Sequence, residues 1–108
     1  MTDTEKLTLL KSLLGIAETD MADDVRLAAY LTAAGREIMA WRYSFVAQPD
    51  TLPVEYEMTQ IYAVIAGFSQ SGAENQLSHS ENGISRTFKH ADMLDYIHAH
   101  VIPMVKVV

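Results

Sequence analysis

The sequence predicts a mainly α domain: four helices, with one β-hairpin between the third and the fourth. Three observations carry this prediction. Apolar residues recur at steps of three and four along separate stretches, the pattern of a helix with one buried face. Gly15, the 43–53 stretch with its prolines, and the Ser69-Gln70-Ser71-Gly72 run break that period. Late in the chain the period shortens around Asn82-Gly83, the strongest short hairpin signal. The chain has 108 residues, 49% hydrophobic and 20% charged, a balance of globular chains and not of disordered ones. That length suits a single domain, assigned to residues 1–102, with a tail at 103–108.

The first helix is expected over 3–14. Thr2 and Glu5 have capping-box spacing, Leu7, Leu10 and Leu14 form a stripe beside Leu13, and Gly15 supplies a left-handed stop. The second is expected over about 21–42. Asp20 stands as its cap, Asp23 and Asp24 place negative charge in the first turn, and Leu27, Leu31, Ala34, Ile38 and Trp41 form its stripe. Gly35 inside it, beside Ala33 and Ala34, suggests close approach of another helix.

Residues 43–53 lose the period and read as a loop, though Tyr43, Phe45 and Val46 make it apolar. The third helix is expected over 53–70, with Pro53 at its first position and Val54, Met58, Ile61, Ile65 and Phe68 facing inward with Tyr62. The hairpin falls at about 76–88. Leu77 and His79 share a face of one strand, and Ile84, Arg86 and Phe88 a face of the other. A fourth helix is expected over 90–101, with Leu94, Ile97 and Val101 on one side and Pro103 ending it. The tail Met104-Val105-Lys106-Val107-Val108 has strand-like composition.

The chemistry-bearing residues point away from catalysis. Fourteen acids against eight bases give a net charge of −6, whereas gripping a phosphate backbone requires clustered Lys and Arg. The chain has no cysteine, so disulfides, thiolate metal sites and Cys nucleophiles are excluded. His98 and His100 are two apart, not the four of a helical metal pair, and read with His79 and His90 as solvated or locally bonded. Asp20, Asp23, Asp24, Glu55 and Glu57 all fit helix starts. No serine has a nucleophile-elbow setting, and no glycine pattern cradles phosphate. The chain is therefore expected to be no enzyme and to need no cofactor or metal. Its polar start is unlike a signal peptide, and the longest apolar run, Ala63 to Ala66, is far short of a membrane helix. A soluble protein that stays in the compartment where it is made is expected. The loop aromatics, the hairpin and the apolar tail exceed what one core needs, and such features serve subunit contacts.

The segment from Gly72 through Glu74, Ser78, Ser80 and Gly83 to Ser85 and Phe88 resembles the small head–tail connector (adaptor, or head-completion) proteins of tailed double-stranded DNA bacteriophages and prophages. Their pattern runs Gly-x-Glu-Gly, a short Ser-x-Ser, then Gly-Gly-(Ile/Val)-Ser and an aromatic residue, between a helix and a last helix. The opening Leu10 to Ile16 and the acidic start of the second helix match as well. Asn75 and Asn82 stand where the family has glycine. Asparagine is the next-best residue for positive φ.

The resemblance implies a ring on the portal vertex that extends the DNA channel and offers a docking surface to the stopper or tail. DNA would pass through without sequence-specific binding, since an acidic wall repels phosphates. It also implies a virion location at the head–tail junction, with host cytoplasm during assembly and no membrane. The residues expected to contact partners are Tyr43, Phe45, Glu74, Ser78, Ser80, Gly83, Ser85, Phe88, Val105, Val107 and Val108. The competing reading is a small helical regulatory or nucleic-acid-binding module, whose basic face would have to come from Arg26, Arg36 and Arg42, or from Arg86 with Lys89.

Overall fold

The computed structural model describes residues 1–74 and 88–103, with backbone alone for 69–74. The hairpin expected at 76–88, except Phe88, and the tail 104–108 lie outside the described residues. Within them the chain is mainly helical: α1 (Asp3–Leu14), α2 (Asp24–Arg42), a 3-10 turn (Val54–Tyr56), α3 (Glu57–Glu74) and α4 (His90–His100). α3 packs against α1, α2 and α4, and α2 also touches α1 and α4.

α1 forms as its sequence dictates. The Thr2 hydroxyl accepts from the Glu5 N–H at 3.1 Å and the Glu5 carboxylate accepts from the Thr2 N–H at 2.7 Å, so the capping box is closed. Gly15 ends the helix in the left-handed region at φ 77°, where a side chain would be strained.

α2 starts later than the predicted residue 21. Asp20 does not cap the helix: its carboxylate accepts from the Ala22 N–H at 3.1 Å. Successive turns, Asp20 N–H to the Ala17 carbonyl and Asp24 N–H to that of Met21, carry the chain round before the helix begins. Short acidic side chains favour such local turns as readily as a cap. The predicted stripe holds: Leu27, Leu31, Ala34 and Ile38 are buried and Trp41 is packed against them.

α3 departs from its prediction at both ends. Pro53 is extended, with ψ 144°, and precedes a 3-10 turn, so Val54 falls out of the helical period and is exposed. A 3-10 turn repeats every three residues and cannot hold a stripe set by 3.6. The helix then continues through Ser69-Gln70-Ser71-Gly72 to Glu74. An interior glycine costs roughly 1 kcal/mol against alanine and no proline is present, so the run is passable. Ile61, Val64 and Phe68 form the buried line with Gln60, Ala63 and Gly67. Met58 and Ile65 are half-buried and Tyr62 is exposed. A helix gripped by three neighbours buries a broader arc than one stripe predicts.

α4 buries Met93 and Ile97, with Val101 just beyond its end, while Leu94 is half-buried. Each fully buried large aliphatic side chain contributes roughly 1.5–3 kcal/mol of transfer free energy.

Close approach decides two glycines. A Cβ on Gly35 would sit 2.9 Å from Gln60 Nε2, so the helix expected there is α3. A Cβ on Gly67 would sit 2.8 Å from the Phe88 ring and 2.9 Å from the Lys89 carbonyl oxygen. The lead-in to α4 thus lies on α3 at a residue without a side chain. Gly67→Ala should therefore destabilise the fold by about 1–2 kcal/mol, overpacking against backbone outweighing the gain in helix propensity. Urea unfolding checks this, with a lowered midpoint at unchanged slope expected.

Candidate interaction surface

The C-terminal end of α2 gathers several of the exposed apolar side chains of the described residues. Two consecutive residues there hold the chain where it leaves α4. The Trp41 indole N–H donates to the Val101 carbonyl at 2.8 Å, and Arg42 Nη1 donates to that of Ile102 at 2.7 Å. The Arg42 guanidinium also lies 6.0 Å from the Tyr56 ring centroid, within cation–π range. On the next turn of α4, His98 lies against Trp41 with ring centroids 4.2 Å apart, and its Nε2 is 3.2 Å from the Glu37 carboxylate. The loop after α2 begins here too. Tyr43 is its half-buried cap, the Ser44 hydroxyl donates back to the helix's last carbonyls, and Phe45 stands 63% exposed. Ile102 and Val54 are exposed as well.

Of the residues expected to meet a partner, Tyr43 and Phe45 are therefore at the same end of the molecule as the root of the tail that carries Val105, Val107 and Val108. Phe88 is placed differently. Its ring stacks on Tyr30 at 3.5 Å between centroids and is tilted against Phe68 at 6.1 Å, so it closes the core over Gly67. Glu74 is the last residue of α3. Ser78, Ser80, Gly83, Ser85, Val105, Val107 and Val108 lie outside the described residues. The pair Trp41–Arg42 was missed as a tether. Its signal was faint: a hydrogen-bonding aromatic and a cation in the last turn of a helix, where carbonyls from another segment can be met.

The acids also do more than mark helix starts. Glu57 is 8% exposed and accepts from the Met1 amino group at 3.0 and 3.2 Å, with Lys6 Nζ at 3.6 Å. Asp24 pairs with Lys11 Nζ at 2.9 Å, and Lys11 also donates to the Glu18 carbonyl at 3.1 Å. His100 Nδ1 lies 2.8 Å from the Tyr96 carbonyl oxygen and its ring stacks on the tyrosine. Among the described residues no group of three or more His, Asp or Glu side chains could hold a metal ion. Arg26 lies 3.7 Å from Asp23 near the start of α2, and Arg42 donates to the Ile102 carbonyl at its end.

These features define a small helical domain whose loop end displays apolar side chains and launches the chain's last residues. The chain belongs to the family of phage gp6-like head-tail connector proteins, whose family model matches residues 4–100. No curated protein and no solved structure matches it. Membership implies contact with the phage portal and with head and tail proteins, at the head–tail junction of the virion. No helix of the described residues is long and apolar enough to cross a membrane.

The Glu57 carboxyl lies below its ordinary value of 4.5, chiefly through the hydrogen bond from the Met1 amino group; burial opposes the shift, and the positive charges of that amino group and Lys6 add to it. A carboxyl lowered in the folded state stabilises fully above its unfolded value and loses that contribution as pH falls through the folded one. Stability should therefore fall on acidification below about 4.5. Glu57→Gln should be less stable at neutral pH and show a shallower acid dependence, read by thermal melts between neutral pH and the acid limb.

Proposed function

We propose that this protein is a structural connector without catalytic activity, assembling as a ring on the portal vertex and presenting a surface to the stopper or tail. The single observation that carries the reading is the family match across nearly the whole chain, residues 4–100. The exposed apolar set around Arg42 supports it, because a ring subunit needs contact surfaces beyond its own core. In a ring each copy uses one patch to meet a different patch on the next, a heterologous contact. The excess of acids over bases is consistent with a channel through which duplex DNA slides: like charges repel along its wall and no phosphate is held. The contacts expected of Ser78, Ser80, Gly83 and Ser85 belong to the same proposal.

The test combines mass measurement across concentration with capture by the cognate portal protein. Copies gathered on the portal in a fixed ratio are expected, and a chain that stays monomeric and never captures portal overturns the reading. Phe45→Ser should leave the melting temperature within about 2 °C of the parent, since a substitution of an exposed side chain rarely changes stability by more than ~0.5 kcal/mol. The same variant should weaken portal capture or self-association by about tenfold, the loss of one aromatic anchor.

A further inference from the structure

A second surface runs along α2 from Thr32 to Met39. Thr32, Gly35, Arg36 and Met39 recur at helical steps and share one face of the helix. With Asp3 at the start of α1 and the loop around Asp50, they enclose an open groove of about 560 Å³. Gln60 of α3 lies at its floor. That side chain is 5% exposed, and its Nε2 donates to the Leu31 carbonyl at 2.6 Å. Its Oε1 has no hydrogen-bond partner among the described residues. A buried acceptor without a donor is uncommon in folded proteins and points to a group that completes it.

Gly35 gives the direction from which that group comes. A Cβ at residue 35 would sit 2.9 Å from Gln60 Nε2 and 3.6 Å from its Cδ. Without one, the amide lies against the groove with no side chain of residue 35 between them.

The other lining residues select the donor. Asp3 and Asp50 are exposed carboxylates on the rim, and the Thr32 hydroxyl is a further acceptor. Arg36 is the one cation among the described residues of the lining, and it too is exposed. Acceptors are therefore in excess, above a recessed carbonyl oxygen and beside the apolar Met39 and Leu52. This arrangement calls for a donor-rich cation on an aliphatic stem. A guanidinium offers five N–H donors in one plane, is weakly hydrated, and rides on a stem that packs on apolar surface. An ammonium is a compact, strongly hydrated charge and gives up its water less readily.

We propose that this groove binds an arginine side chain presented by a partner polypeptide. The guanidinium donates to Gln60 Oε1 and pairs with Asp3 and Asp50, while its stem lies on Met39 and Leu52. The contact differs in kind from the exposed apolar set around Arg42, being directed by charge and hydrogen bonds, and it does not depend on copies of the chain assembling.

The probe is a capped tripeptide, acetyl-Ala-Arg-Ala-amide, titrated into the isotope-labelled full chain and followed by NMR. The Gly35 backbone amide and the Gln60 side-chain amide should shift together and saturate. The counterparts with lysine or with citrulline, arginine's neutral isostere, should bind about tenfold more weakly, since one lacks the planar fork and the other the charge. Asp50→Asn changes an exposed loop position, and should weaken binding by about fivefold, the upper worth of one exposed ion pair. Arg36→Ala removes a like charge and should tighten binding. Absence of any shift at Gly35 and Gln60 overturns the proposal, as does equal binding of the citrulline or lysine peptide. An unchanged affinity in Asp50→Asn, or weaker binding in Arg36→Ala, overturns it as well.

Discussion

The fold turns on how closely α2 and α3 approach. Gly35 leaves room for Gln60, which is 5% exposed, and Gln60 Nε2 donates to the Leu31 carbonyl at 2.6 Å. That bond fixes the orientation of the amide, because the reverse would set two oxygens against each other. A side-chain bond into the backbone of a neighbouring helix at this depth fixes where the two slide and rotate. α1 and α4 are then placed by what this pair leaves exposed. The lead-in to α4 lies over Gly67, and Phe88 closes the space between Tyr30 and Phe68.

α1 is attached by apolar burial and also by charge. Its two buried lysines reach different helices: Lys6 lies by Glu57 at the start of α3, and Lys11 by Asp24 at the start of α2. Buried ion pairs add little net stability, because desolvation offsets the attraction, but an unpaired charge there is costly. Such pairs therefore select one docking of α1 over others that would bury a lysine alone. The acids that would carry the chain's negative surface are in part consumed this way.

The far end of α2 performs a different task. Trp41 and Arg42 bond the carbonyls of Val101 and Ile102, so the chain leaves the body in a set direction with Phe45 nearby.

Three of the four helices were placed within a few residues by local rules: capping at Thr2 and Glu5, the left-handed Gly15, the stripe from Leu27 to Trp41, and the break at Pro103. These depend on neighbours in sequence, where the chain is its own evidence. The misses have both local and tertiary causes. Val54 left the buried set because the 3-10 turn after Pro53 breaks the helical period, whereas Tyr62 left that of α3 and Met93 joined that of α4 because partners on several sides widen and rotate a buried arc. Of the expected contact residues, Tyr43 and Phe45 are legible as loop aromatics, while the packing of Phe88, partly buried against the core, is visible only from its fold neighbours Tyr30 and Phe68. The amino-acid order by itself determined the four helices of the described residues, both caps of α1 and the family. Which acid meets Lys6 or Lys11, which glycine receives which helix, and which carbonyls Trp41 and Arg42 hold were decided only in three dimensions, because those contacts join residues far apart in the chain and no local periodicity encodes them.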